Sequence, residues 1–475
     1  MNETDLCYTP ATELARLIRA KTISPVEIAA AVLARLERLN PNLNAFLTVT
    51  ADRARQEAKA AEARALRGER LSPLDGIPYS IKDLEPTAGI RTTSGSKFFE
   101  QTVPAEDGAV AARLRASGGV LLGKTNTPHI GHKDMCDNLL GEPCKTPWHL
   151  ERTSGGSSGG AGAAVAAGIG PVAHGSDGAG SIRIPSSLCG IYGLKPSFGR
   201  VPYHPNPNYW NARSHNGPMT RTVRDAAMLL QLMAGPDPRD PLTIDQPPPD
   251  FLAACEGDLK GLRVAWSGDL GFARCDPEVR ALAHAAAKRL AEAGCTVEEP
   301  AIDWGNPDPW HRLIYQAAVA SRVANLARQR PDWIEPSLQQ MVDAVQGVSA
   351  IELHQALNER APFYNRVRAF FETYDLLLTP GMPCGAWPAT PGAVQGPPDG
   401  IEGKPALTIF ERVPFFYPFN LTGQPAAVVP CGFTAEGLPV ALQIVGRWHD
   451  DATVLRASAC FEAIQPWAQH RPPVD

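Results

Sequence analysis

The sequence predicts an α/β protein, a sheet with helices on both faces, and three observations carry that prediction. From about Val110 the pattern alternates: Val110 to Ala116 reads as helix, Val120-Leu121-Leu122 as a buried strand, and Ala161 to Ala167 as helix again. The chain is 44% hydrophobic and 20% charged, which supplies a large core. Its 475 residues alone would suit two or three domains, although large α/β proteins often extend one sheet instead.

Taken in order, Ser24-Pro25-Val26-Glu27 opens a helix: Ser24 caps, Pro25 suits the first helical position and Glu27 closes a capping box. An Ala, Arg and Glu-rich helix runs from about Asp52 to Arg67. In Gly76-Ile77-Pro78-Tyr79-Ser80-Ile81-Lys82-Asp83 the apolar and polar residues alternate after a turn, so a short strand is expected with Lys82 near its end. Pro236 to Pro249 and Gly381 to Pro405 read as long surface excursions, with a mostly helical stretch from about Pro277 to Glu372 between them. No internal repeat is visible.

The net charge of −5 provides no basic field for nucleic acid or an anionic membrane surface, and small neutral or weakly charged ligands fit better. No apolar run reaches the roughly 18 to 20 residues of a membrane span. Met1 to Pro10 carries Glu3 and Asp5 and lacks the basic start and apolar centre of a secretory signal. Ten cysteines, from Cys7 to Cys460, show no CxxC spacing, which argues against a zinc ribbon or disulfide scaffold. Reduced thiols and a cytoplasmic location are expected.

Gly155-Gly156-Ser157-Ser158-Gly159-Gly160 has a linker's composition, but Ala161 to Ile169 behind it is small and apolar, as where a helix packs tightly with its N-terminus open to a ligand. Gly175-Ser176-Asp177-Gly178-Ala179-Gly180-Ser181 reads as a second small-residue turn before Ile182-Arg183-Ile184-Pro185. Such turns suit a site where backbone N–H groups approach a reacting atom.

These motifs resemble the amidase signature family of serine hydrolases. The resemblance covers Gly155 to Ser186, with 24 residues from Ser157 to Ser181. It extends upstream to Gly76-Ile77-Pro78 and Lys82-Asp83, and downstream to Asn420-Leu421-Thr422-Gly423-Gln424-Pro425-Ala426 and Gly437 to Arg447. It implies a single α/β domain over residues 1–475 with a mixed, mainly parallel twisted sheet. Within it are expected a helical part to about 70, a catalytic core over 71–235, a helical and loop insertion over 236–405, and a C-terminal core segment over 406–470. It further implies a relay of Lys82, Ser157 and Ser181, and an oxyanion hole from the backbone N–H groups of Gly178, Ala179, Gly180 and Ser181. Many members have two glycines and a hydroxyl or branched residue where this chain has Gly178-Ala179-Gly180.

The chemistry fits those residue types. A serine hydroxyl needs a base to take its proton, and lysine is a base only when neutral, as burial without a carboxylate partner makes it. Ser157 would pass the proton and later protonate the leaving amine, and water would hydrolyse the acyl-enzyme with no metal or organic cofactor. Ser158 is expected to support by hydrogen bonding, Asp177 and Arg183 to form a structural ion pair, and Cys189 to be a buried thiol.

Gly118 to Thr125 matches a phosphate-loop pattern, but a helix precedes it and strand-like residues separate its glycines, so nucleotide binding is not expected. His129 and His132, with Asp134 and Asp137 nearby, lack a third ligand of metal-site type, and their segment is expected instead to line the substrate pocket. Ile130, Met135, Tyr209, Trp210, Phe415 and Phe416 are the candidate pocket residues, with core packing an equal alternative for the aromatic ones.

The resemblance leaves two further readings. One is an amidotransferase subunit that works on charged transfer RNA, disfavoured by Tyr203-His204-Pro205-Asn206 and Tyr209-Trp210 after Gly193-Leu194-Lys195-Pro196. The other is a non-catalytic binding protein. The favoured expectation is cleavage of an aryl or alkyl amide or a carbamate, with esters as a side activity. Oligomeric state is not legible.

Overall fold

Eleven short apolar strands share one twisted sheet, because most of them are buried on both faces and need cover from helices on each side. The computed structural model describes residues 2–391, 396–406 and 408–474. The strands are β1 (Phe46–Val49), β2 (Pro78–Lys82), β3 (Val120–Thr125), β4 (Val172–Asp177), β5 (Tyr192–Lys195) and β6 (His215–Thr220). They continue with β7 (Arg263–Trp266), β8 (Thr296–Glu298), β9 (Leu376–Pro380), β10 (Ala426–Phe433) and β11 (Pro439–Gly446). Their order across the sheet is β1-β3-β2-β4-β6-β5-β10-β11-β9-β7-β8.

The mixed sheet is as expected, with a particular distribution of directions. Parallel pairing is confined to two blocks, β3-β2-β4 and β9-β7-β8, and the strands between them pair antiparallel. The arrangement matters for the site. β2 and β4 run side by side in the same direction inside the sheet, so Lys82 and Asp177 lie at the same end of their strands, and antiparallel β6 begins there with His215 opposite Asp177.

Local signals place the elements near their expected bounds. The Pro25–Leu43 helix has the Ser24 and Glu27 capping box, and Ala51–Arg67, Ala109–Ala116 and Gly159–Ala166 are helices. The second small-residue turn is shorter than its composition implied. Gly175, Ser176 and Asp177 still belong to β4, and the turn begins at Gly178. The Gly159–Ala166 helix is buried throughout and lies close behind the sheet: a Cβ on Gly160 would sit 2.3 Å from the Asn126 N and the Ala45 O. Only glycine permits that approach.

The stretch between 277 and 372 is largely helical, with β8 inside it. The Gly381 to Pro405 excursion begins beyond β9, and its residues 392–395 lie outside the described residues. Among the described residues all ten cysteines are free and nine are buried, Cys189 included. No helix there is long and apolar enough to cross a membrane.

Candidate active site

Lys82, the last residue of β2, is fully buried. Its Nζ donates to the Ser157 Oγ at 2.7 Å, to the Ser176 Oγ at 3.1 Å and to the Ser176 carbonyl at 3.3 Å. Burial pulls its pKa down to about 7, against the weaker opposing pull of Cys136 and Asp177. A large fraction of this lysine is therefore neutral at physiological pH.

Ser157 precedes the Gly159–Ala166 helix and follows a cis Gly156–Ser157 peptide bond. Gly131, at φ +74°, faces it from the opposite wall, where an added Cβ would stand 3.2 Å from the Ser157 Oγ and 2.8 Å from Leu84. Ser158 lies behind: its Oγ donates to the Ser176 carbonyl at 3.2 Å and accepts from the Ser176 N–H at 3.3 Å. Ser176 thus holds both Lys82 and Ser158, a role its place in a run of small residues did not signal.

Ser181 follows the Gly178-Ala179-Gly180 turn and is half-exposed, and its hydroxyl makes no hydrogen bond among the described residues. It shares one cavity of about 410 Å³ with Ser157, Ser176, Gly178 and Ala179. A catalytic hydrogen bond is often loose before substrate arrives, so the separation of the two hydroxyls is compatible with a relay.

The four expected backbone donors reduce to three. The Gly180 N–H donates to the Asp177 Oδ1 at 2.7 Å and is already satisfied. Gly180 has φ +120°, and an added Cβ would be 2.8 Å from Phe416, so the turn is pressed inward against the core. Gly178, Ala179 and Ser181 remain as candidate donors, and all three residues line the cavity.

Asp177 is the anchor of this turn. Arg183 forms a buried ion pair with it at 2.9 Å, and also donates to Asn420 at 2.7 Å and Gln443 at 2.8 Å. Asn420 donates in turn to the Asp177 carboxylate and carbonyl, each at 2.9 Å. Burial would raise the Asp177 pKa, but Arg183 overcomes it and holds the carboxyl well below the usual range. The ion pair expected from sequence is therefore a network that ties the turn to the Pro418–Thr422 helix and β11.

The expected pocket is largely corrected. Of the six candidates only Ile130 lines the cavity. Met135, Phe415 and Phe416 are buried in the core, since aromatic and apolar runs serve packing as readily as binding. Tyr209 turns to the adjacent loop and shares a hydrogen bond with the His204 Nδ1 at 2.7 Å, and Trp210 is 78% exposed. The walls are instead Leu84, Pro86, Tyr203 and, on one face of the Asp308–Gln329 helix, Tyr315, Val319 and Arg322. The spacing of those last three is helical, but nothing in the chain says that this face looks toward Ser181.

The decoys are consumed by structure. Lys124 sits inside β3 and donates to Thr87 at 2.8 Å, Thr92 at 3.0 Å and the Glu85 carbonyl. His132 bonds the His129 carbonyl and Ser337, Asp134 pairs with Arg412 at 2.7 Å, and Asp137 pairs with Lys133 at 2.8 Å.

Comparison with known proteins bears on the same residues. The Amidase family model matches residues 27–455. An acylamidase of Rhodococcus erythropolis is 39% identical over 476 residues, covering 99% of this chain and 98% of its own. The A-type subunit of a glutamyl-tRNA(Gln) amidotransferase from Roseiflexus sp. (strain RS-1) is 36% identical across 95% of each chain. The crystal structure of a bacterial aryl acylamidase of the amidase signature family superposes with a TM-score of 0.91 at 32% identity, covering 97% of both chains. With the match running through nearly the whole chain and both serine motifs, this protein belongs to the amidase signature family of amide-hydrolysing enzymes.

Proposed function

We propose that the protein is a self-sufficient hydrolase of aryl or alkyl acylamides that works through an acyl-enzyme on Ser181. The observation that carries this reading is Lys82: buried, without an ion pair among the described residues, its pKa pulled down to about 7, and its Nζ within hydrogen-bond distance of the Ser157 Oγ at 2.7 Å. A neutral Lys82 accepts the Ser157 proton while Ser157 accepts that of Ser181, whose oxygen attacks the amide carbon. The carbonyl oxygen becomes an oxyanion held by the N–H groups of Ala179 and its neighbours. Ser157 then protonates the leaving nitrogen, and water releases the acid. One missing donor in such a hole costs about 2.7 to 4 kcal/mol of barrier.

Leu84, Pro86, Ile130 and Val319 with Tyr203 and Tyr315 make a wall suited to an aryl or alkyl group. The similarity to the Rhodococcus acylamidase and the aryl acylamidase structure points the same way. Carbamates and esters present the same carbonyl to Ser181, and esters are the easier acyl donors. The test is to incubate the protein, without ATP or a second polypeptide, with a chromogenic anilide, a matched aryl carbamate and an ester. Release of aniline is expected. Silence on all three would leave the amidotransferase reading, for which the 36% identical relative speaks.

The lysine also sets a pH dependence. Because the neutral form is the base, kcat/KM rises with pH and levels off above about 7. A pH–rate profile on the anilide would show that ascending limb in the wild type. An activity falling through pH 7 as pH rises would contradict a lysine base.

A further inference from the structure

The cavity above Ser181 has a one-sided charge. Arg213 and Arg322 line it, as do Asn206, Asn208 and Asn211, and no aspartate or glutamate of the described residues does. Among those residues neither guanidinium forms an ion pair. Arg213 lies over the Tyr315 ring at 5.1 Å. Its position is fixed: its carbonyl accepts from Asn420, which also holds Asp177, and the next residue, Ser214, has its Oγ 3.1 Å from where a Gly178 Cβ would be. Arg213 therefore stands beside the turn that carries Ser181. Arg322 comes from the facing wall, one turn or two along the helix face that presents Tyr315 and Val319.

An unpaired guanidinium in a partly desolvated cleft is costly, and the cost is offset when an anion binds it with two parallel hydrogen bonds. Burial pulls Arg213 down to about 10, with Tyr315 opposing and Arg360 adding to the effect, so it stays cationic at neutral pH. The remaining wall is apolar on one side and amide-lined on the other. The geometry points to a substrate that carries a carboxylate as well as the scissile amide, with Arg213 as the residue that recognises it and Arg322 as a second positive group. This deepens the hydrolase reading and rests on it for the identity of the scissile bond. The carboxylate belongs either to the acyl part, as in the monoanilide of a dicarboxylic acid, or to the amine part, as in an N-acyl aminobenzoate.

Calorimetry on the Ser181→Ala protein tests this without turnover. The probes are N-phenylsuccinamate, 4-acetamidobenzoate and neutral acetanilide. At least one anion is expected to bind about tenfold more tightly than acetanilide, a charged hydrogen-bonded pair being worth about that much or more. Adding Arg213→Gln should cut the advantage to under about twofold, and Arg213→Lys should keep part of it. Raising salt to about 0.5 M should weaken the anion and leave acetanilide unmoved. The winning anion identifies the side that carries the carboxylate. Equal binding of all three probes, or an advantage that survives Arg213→Gln, overturns the proposal. Because nothing is hydrolysed, that outcome is separate from whether the wild type cleaves anilides.

Discussion

Ser181→Ala lowers kcat/KM on an anilide by a factor on the order of 10⁶, the scale seen when a relay loses its nucleophile. Lys82→Ala is expected to lose about 10² to 10⁴, the usual contribution of a positioned base. The decisive protein is the double variant. Lys82 contacts the reaction only through Ser157, at 2.7 Å, and serves no purpose once Ser181 has no hydroxyl to deprotonate. Ser181→Ala with Lys82→Ala should therefore be no slower than Ser181→Ala alone. Steady-state kinetics on one anilide with all four proteins makes the comparison, and multiplied losses would show that the lysine acts independently of the serine.

Arg183→Met should destabilise the fold by about 3 to 5 kcal/mol, because it strands a buried carboxylate. Arg183 donates to Asp177, Asn420 and Gln443, and both members of the ion pair are fully buried. Urea unfolding of the wild type and the variant would measure the difference. Pairing the change with Asp177→Asn should recover part of the loss, since the orphaned charge is then gone. The sign of the pH effect follows from the depressed Asp177 pKa. Its contribution is complete above the ordinary carboxylate value and disappears only in strong acid, as pH falls through the folded value. The same variant should also lower activity, since Asp177 holds the Gly180 N–H and with it the turn beneath Ser181.

Ser157 and Ser181 stand out in two runs of small residues 24 positions apart, whereas Lys82 is singled out only through the family resemblance of Gly76-Ile77-Pro78 to Lys82-Asp83. Strands β2 and β3 and the flanking helices were legible from alternation and capping. Two features were not. Which of four consecutive N–H groups faces the cavity depends on how the Asp177 carboxylate is turned, and Arg183, Asn420 and Gln443 set that across more than 200 residues of chain. The cavity wall depends on a helix packing against distant strands. Phe415 and Phe416 show the converse error: an aromatic pair has no sequence mark that separates a core from a pocket, and both are core.

The facing wall belongs to the Asp308–Gln329 helix, while the groups proposed to react come from β2, the loop before the Gly159–Ala166 helix and the turn after β4. That helix supplies one wall from a stretch of the gene far from the proposed reacting groups, while Leu84, Ile130 and Arg213 bring the rest of the wall from segments near them. On the proposed mechanism, substitutions at Tyr315, Val319 or Arg322 should change which amide is preferred while Lys82, Ser157 and Ser181 keep their places.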